Sequence, residues 1–76
     1  MNTQQDINLT FIASKGFDTE SLEGLQRALV WLQTADADNL MYGEPSGNEF
    51  DIMVGEMRRP MLIASIKATK REVEIS

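Results

Sequence analysis

Apolar and polar residues alternate in three segments of this chain, and a helical spacing lies between the first segment and the second. Alternation over 7–13, 50–54 and 62–68 predicts three strands, each with one buried face. Val73 and Ile75 fall on the opposite parity, which indicates either a bend in the third strand or a short fourth strand. Residues 1–5 are polar and are predicted to form a flexible tail.

The segment between the first two predicted strands has the pattern of an amphipathic helix. Asp18 is the predicted N-cap, and the helix is predicted to end near Thr34 to Ala35, before Asp36 would enter the apolar stripe. The stripe repeats at spacings of three and four and consists of Leu22, Leu25, Ala28, Leu29 and Leu32.

The order strand, helix, strand, strand predicts an α+β fold in a single domain, residues 1–76. One helix would pack on one face of a small, mainly antiparallel sheet of three to four strands. Gly55 to Arg59 would be a turn, with Pro60 at a strand edge. The residues predicted to face the helix are Ile7, Leu9, Phe11, Phe50, Ile52, Val54, Leu62, Ala64 and Ile66.

One helix leaves the opposite sheet face uncovered. That face would carry Ile12, Met53, Met61 and Ile63, too many apolar side chains to leave in water. Two explanations remain for how this face is buried. Either the loop 36–48 folds over it through the apolar residues 40–42, with a short helical turn possible there, or a partner or a second copy covers it. Trp31, at the edge of the helical stripe, either flanks the core or serves as an interface hot spot.

Composition restricts the chemistry. There is no cysteine and no histidine, and no nucleotide-binding or nucleophile motif is present. A calcium-loop frame starting at Asp38 places Leu40 and Tyr42 where oxygen ligands are needed. We therefore expect no enzyme activity, no cofactor and no metal. No long apolar run and no signal peptide are seen, which predicts a cytoplasmic protein without membrane contact.

Charge is sorted along the chain. Nine carboxylates and one cation, Arg27, lie between residues 18 and 56, whereas residues 57–71 hold five cations and no acid. These cations fall on the predicted C-terminal hairpin. The basic hairpin could contact nucleic acid or could protect an edge strand. The formal net charge of −5 favours edge protection.

Size, charge and the uncovered apolar face together predict a small non-enzymatic protein-binding module, namely an inhibitor or regulator that docks an acidic surface and an apolar patch on a larger protein. In a sharper form it competes there with nucleic acid. In size and charge alone this profile resembles that of small phage-encoded inhibitors of host defence, including anti-CRISPR proteins. The alternatives are a homodimeric structural or accessory subunit and nucleic-acid binding through the basic hairpin. The predicted partner contacts are Glu20, Glu23, Trp31, Asp36, Asp38, Tyr42, Glu44, Glu49, Asp51, Met53, Met61 and Ile63.

Overall fold

The structure, a computed structural model, describes residues 3–41 and 47–75. About 81% of these residues are helical and none lies in a strand, so the predicted α+β fold is wrong and the described chain is all-helical. The elements are the helices α1 (Gln4–Ser14), α2 (Leu22–Thr34) and α3 (Glu49–Ile75) and a short 3-10 helix, η1 (Ala37–Leu40).

Residues 7–13, predicted as the first strand, lie in α1. The helix begins with a capping box: the Thr3 hydroxyl accepts a hydrogen bond from the Asp6 amide at 3.1 Å, and the Asp6 carboxylate accepts one from the Thr3 amide at 3.3 Å. The alternation of the segment does not mark a buried face, because Ile7 is exposed. The buried residues follow a helical spacing and are Asn8, Phe11 and Ile12.

The helix predicted in the middle of the chain is confirmed as α2, and its end at Thr34 is as predicted. Its start is not. Ser21, rather than Asp18, is the N-cap, and its hydroxyl accepts from an amide in the first turn at 3.0 Å. Asp18 instead accepts from the Glu20 amide in the preceding turn, at 2.9 Å. Of the predicted stripe, Leu22 is exposed and the other four residues are buried.

The predicted second and third strands and the turn between them all lie in α3, a single helix of 27 residues. The two alternations contain only three and four apolar positions, and alternation that short does not distinguish a strand from one side of a helix. Pro60 lies inside the helix, where it removes the amide that would bond the Glu56 carbonyl. Both residues are exposed, so water can solvate that carbonyl.

The C-terminal part of α3 explains the change of parity that had indicated a bend or a fourth strand. Val73 follows Ile66 by seven residues, which is two helical turns, and therefore lies on the same face. It packs against the core. The change of parity is thus expected for a continuous helix. A helical face repeats every 3.6 residues, so its apolar positions fall first on one parity and then on the other.

The core lies where α1, α2 and η1 meet one face of α3. Among the residues predicted to be buried in the sheet, Phe11, Leu62 and Ile66 are buried, whereas Ile7, Phe50, Ile52 and Ala64 are exposed and Leu9 and Val54 are partly exposed. The clustered apolar side chains of the core are Phe11, Ile12, Leu25, Ala28, Leu29, Leu32, Leu40, Leu62 and Ile66.

Loop 36–48 is one of the two coverings that the sequence left open for the sheet face, and its described part packs on α3 through η1. Leu40 is fully buried and Ala37 nearly so. A Cβ placed on Gly55 would overlap the Ala37 carbonyl oxygen, so the absence of a side chain at Gly55 lets the two backbones touch. None of the described helices, α3 included, has the length and hydrophobicity needed to cross a membrane.

Candidate functional site

Four large apolar side chains form an exposed row on α3. Phe50 is 64% exposed, Met53 55%, Met57 65% and Met61 51%. They are spaced by three, four and four residues, which places them on one face over three turns. Ala64, three residues further on, is also exposed and extends the row. We call Phe50, Met53, Met57, Met61 and Ala64 the methionine stripe.

The stripe faces away from the rest of the molecule. Consecutive helical residues are rotated by roughly 100°, so Met57 and the fully buried Leu62 point about 140° apart. Leu62 and Ile66 hold α3 against the core, and the stripe is left on the solvent side. Its exposure is therefore a consequence of how α3 docks, and no described element covers it.

The residues of the predicted uncovered sheet face separate into two groups. Met53 and Met61 lie together in the stripe, as neighbours of Met57. Ile12 is wholly buried in the core, and Ile63 is partly buried against it, so placing these two on the uncovered face was wrong. The surface exists, but it is a helix face and not a sheet face.

Sequence reasoning missed Phe50 and Met57 as members of this surface. Phe50 was assigned to the core side of a strand and Met57 to a turn. The signal was available, because the four large apolar residues from Phe50 to Met61 repeat with the period of a helix. The alternation of residues 50–54 interleaves with this period and predicts a strand instead.

The predicted acidic surface is divided by the fold. Glu20 and Glu23 are exposed where α2 begins, and Glu23 forms an exposed ion pair with Arg27 at 2.6 Å. Asp36 and Asp38 follow the other end of α2. Thirteen helical residues rise by about 20 Å, so these two acidic groups do not form one patch.

The remaining predicted contacts have varied surroundings. Trp31 is half-buried, with its ring 5.5 Å from that of Phe17, and it packs against the core as a flank. Glu49 and Asp51 lie in the first turn of α3, where the Asp51 amide donates to the Asn48 side chain at 2.8 Å. Two further predicted contacts lie outside the described residues, namely Tyr42 and Glu44.

The basic hairpin does not exist, because its residues lie along α3. The Arg59 guanidinium donates to the Leu32 carbonyl and, at 2.7 Å, to the Ala35 carbonyl, so it closes the C-terminal end of α2. Arg58 lies 4.6 Å from the centre of the Phe11 ring. These two cations join helices and do not line up as a phosphate-binding row.

Among residues 3–41 and 47–75, no group of three or more His, Cys, Asp or Glu residues is placed to hold a metal ion. The methionine stripe therefore stands out in this part of the chain as a row of exposed apolar side chains. No family model matches the chain, and neither curated proteins nor solved structures gave a match.

Proposed function

We propose that this chain is a non-enzymatic protein-binding module whose contact surface is the methionine stripe of α3. The observation that carries the proposal is the run of four large apolar side chains, each more than half exposed, on one face of one helix. Contiguous exposed apolar surface of this kind marks interaction sites in folded proteins. Methionine suits such a site, because its unbranched and polarisable side chain adapts to the surface it meets.

The spacing of the stripe favours recognition of the helix as a unit. Anchors at intervals of three and four residues are the pattern with which an amphipathic helix fills an apolar groove or pairs with another helix. Phe50 supplies the largest apolar group, at one end of the row. The core-facing side of α3 would stay in place during binding, so the surface is pre-formed and costs little ordering entropy.

Docking through a single acidic surface has less support than docking through the stripe. The acidic groups at the two ends of α2 lie about 20 Å apart along the helix axis, so one partner footprint would have to span both. Competition with nucleic acid, an inhibitory role toward host defence, nucleic-acid binding and the cytoplasmic location remain predictions.

The proposal is tested by capture from the cells that naturally produce the chain. A tagged Met53→Lys/Met57→Lys variant places two charges in the stripe. We expect it to keep the helical circular-dichroism spectrum, because both side chains are exposed. Val30→Lys is the matched control, since Val30 is a 50% exposed apolar residue on α2, outside the stripe.

The expected result is a set of proteins, other copies of the chain included, retained by the wild type and the Val30→Lys control but lost from the Met53→Lys/Met57→Lys variant. Retention of the same proteins by all three would contradict the proposal. A Glu20→Gln/Glu23→Gln variant and an Asp36→Asn/Asp38→Asn variant run in parallel, and loss of binding in either would assign a contact to that acidic group.

A further inference from the structure

We infer that the partner of the methionine stripe is a second copy of this chain, bound with the two α3 helices antiparallel about a two-fold axis at Met57. This inference rests on the proposed function, because it uses the same surface. It commits the surface to one occupant, and three features of α3 support that choice.

The first feature is the symmetry of the stripe about Met57. Met53 and Met61 each lie four residues from Met57, and Phe50 and Ala64 each lie seven residues from it. An antiparallel two-fold pair brings together residues equally distant from the axis. Met53 would therefore face Met61 of the second copy, and Phe50 would face the small Ala64, so that large and small side chains interdigitate.

The second feature is the order of charges along the helix. Glu49 and Lys67 are separated by 18 residues, which is about five full turns, so they lie on the same flank of the stripe. One precedes Met57 by eight residues and the other follows it by ten. Antiparallel pairing puts Glu49 of one copy beside Lys67 of the other, whereas parallel pairing would place each of them at the level of the same residue of the other copy, on the opposite flank.

The third feature is the availability of those two side chains. Glu49 and Lys67 are both exposed, and neither has an ion-pair partner among the described residues. Glu56, the carboxylate nearest the axis, is already paired with Arg59 at 3.0 Å and so adds little repulsion between copies. Glu49 and Lys67, which would meet across the interface, are thus both without an ion-pair partner in the described fold.

Two measurements test the inference. Light scattering of the wild type at high micromolar concentration should give twice the chain mass of 8.5 kDa, and Met57→Lys should return the mass to that of one chain without loss of helical signal. The chain has no cysteine, so single cysteines report proximity without background. Met57→Cys should form a disulfide-linked dimer on mild oxidation, and Val30→Cys should not.

The register and direction are tested by mixing variants. Met53→Cys mixed with Met61→Cys should cross-link several-fold more than either variant alone, because antiparallel pairing places each beside the other. Equal or greater self-linking of Met53→Cys would overturn the antiparallel arrangement. A single-chain mass for the wild type at every concentration would overturn the dimer.

The two proposals fail differently. A monomeric wild type that still captures other proteins in a stripe-dependent way would remove the second copy as the partner and leave the protein-binding function standing. A monomer whose capture does not depend on the stripe would remove both.

Discussion

Asn8 donates a hydrogen bond from Nδ2 to the Ser65 Oγ at 2.8 Å, inside the contact between α1 and α3. Both side chains are buried, and each has a second partner. Gln4 donates to the Asn8 Oδ1 at 3.0 Å, and the Ser65 hydroxyl donates to the Met61 carbonyl, also at 3.0 Å. This polar contact fixes the position of α1 on α3, because a shift of either helix would leave buried polar atoms unpaired.

Replacement of Asn8 by alanine should lower the free energy of unfolding by about 1–3 kcal/mol, because Ser65 loses a buried partner and a small cavity remains. Urea unfolding followed by the fluorescence of Trp31, the single tryptophan, measures the change. A double-mutant cycle with Ser65→Ala should give a coupling of about 0.5–3 kcal/mol. Additivity of the two substitutions would show that the hydrogen bond does not couple the helices.

Replacement of Gly55 by alanine should destabilise the protein, although the same change at an exposed helix position gains about 1 kcal/mol. The new methyl group would overlap the Ala37 carbonyl, and backbone on both sides of the contact would have to move. Urea unfolding measures the effect, and the midpoint concentration of Gly55→Ala should be lower than that of the wild type. A more stable Gly55→Ala variant would show that η1 does not touch α3 at this point.

Arg59→Met should cost about 1–3 kcal/mol of stability, because the carbonyls of Leu32 and Ala35 lose a charged donor at the end of α2. Arg59→Lys should recover only part of the loss, since an ammonium cannot span two carbonyls as a planar guanidinium does. Arg71→Met, an exposed site on the same helix, is the control and should change stability by less than about 0.5 kcal/mol. Equal losses at both sites would refute the capping role.

Pro60→Ala should raise the stability by about 1–3 kcal/mol, because alanine restores the amide that bonds the Glu56 carbonyl and is a far better helix former. Thermal unfolding at low micromolar concentration, followed by circular dichroism, gives the change. Arg71→Ala, at an exposed position of the same helix, is the control for a substitution by alanine outside the proline site. An unchanged or lower melting temperature for Pro60→Ala would contradict a continuous α3.

The antiparallel pairing at Met57 predicts a concentration-dependent melting temperature. A partner that binds only the folded chain stabilises it by mass action, so the wild-type Tm should rise as protein concentration increases. The Tm of Met57→Lys should stay constant over the same range, because the charge prevents pairing. A Tm that rises equally with protein concentration in the wild type and in Met57→Lys would place the contact elsewhere on the surface.

The sequence predicted α2 well because its signals are local and consistent. The leucines repeat at helical spacing over three turns. Asp18 and Ser21, both residue types that cap helices, stand just before the first leucine. The prediction of Asp18 as the cap is wrong, because a preceding turn uses the Asp18 side chain instead and Ser21 caps the helix. Phe17, which precedes Asp18, packs on Trp31 with the ring centres 5.5 Å apart, a contact that no local pattern reports.

The surface was predicted in part. The sequence pattern predicts Met53 and Met61 to be apolar residues without a cover, but it does so through a sheet face on which it also places the buried Ile12. Their neighbours Phe50 and Met57 were missed, because a sheet divides residues 50–61 between two strands and a turn. Only a continuous helix puts all four on one line.

The sequence by itself determined the composition limits, the sorted charge and the helix α2, since each depends on residue types or on a spacing confined to one element. The tertiary structure alone decided the state of residues 7–13 and 49–75, because their short alternations suit either a strand or a helix. Burial of Asn8, Leu62 and Ile66 against other helices selects the helical form. That choice places the methionine stripe on one exposed face of α3.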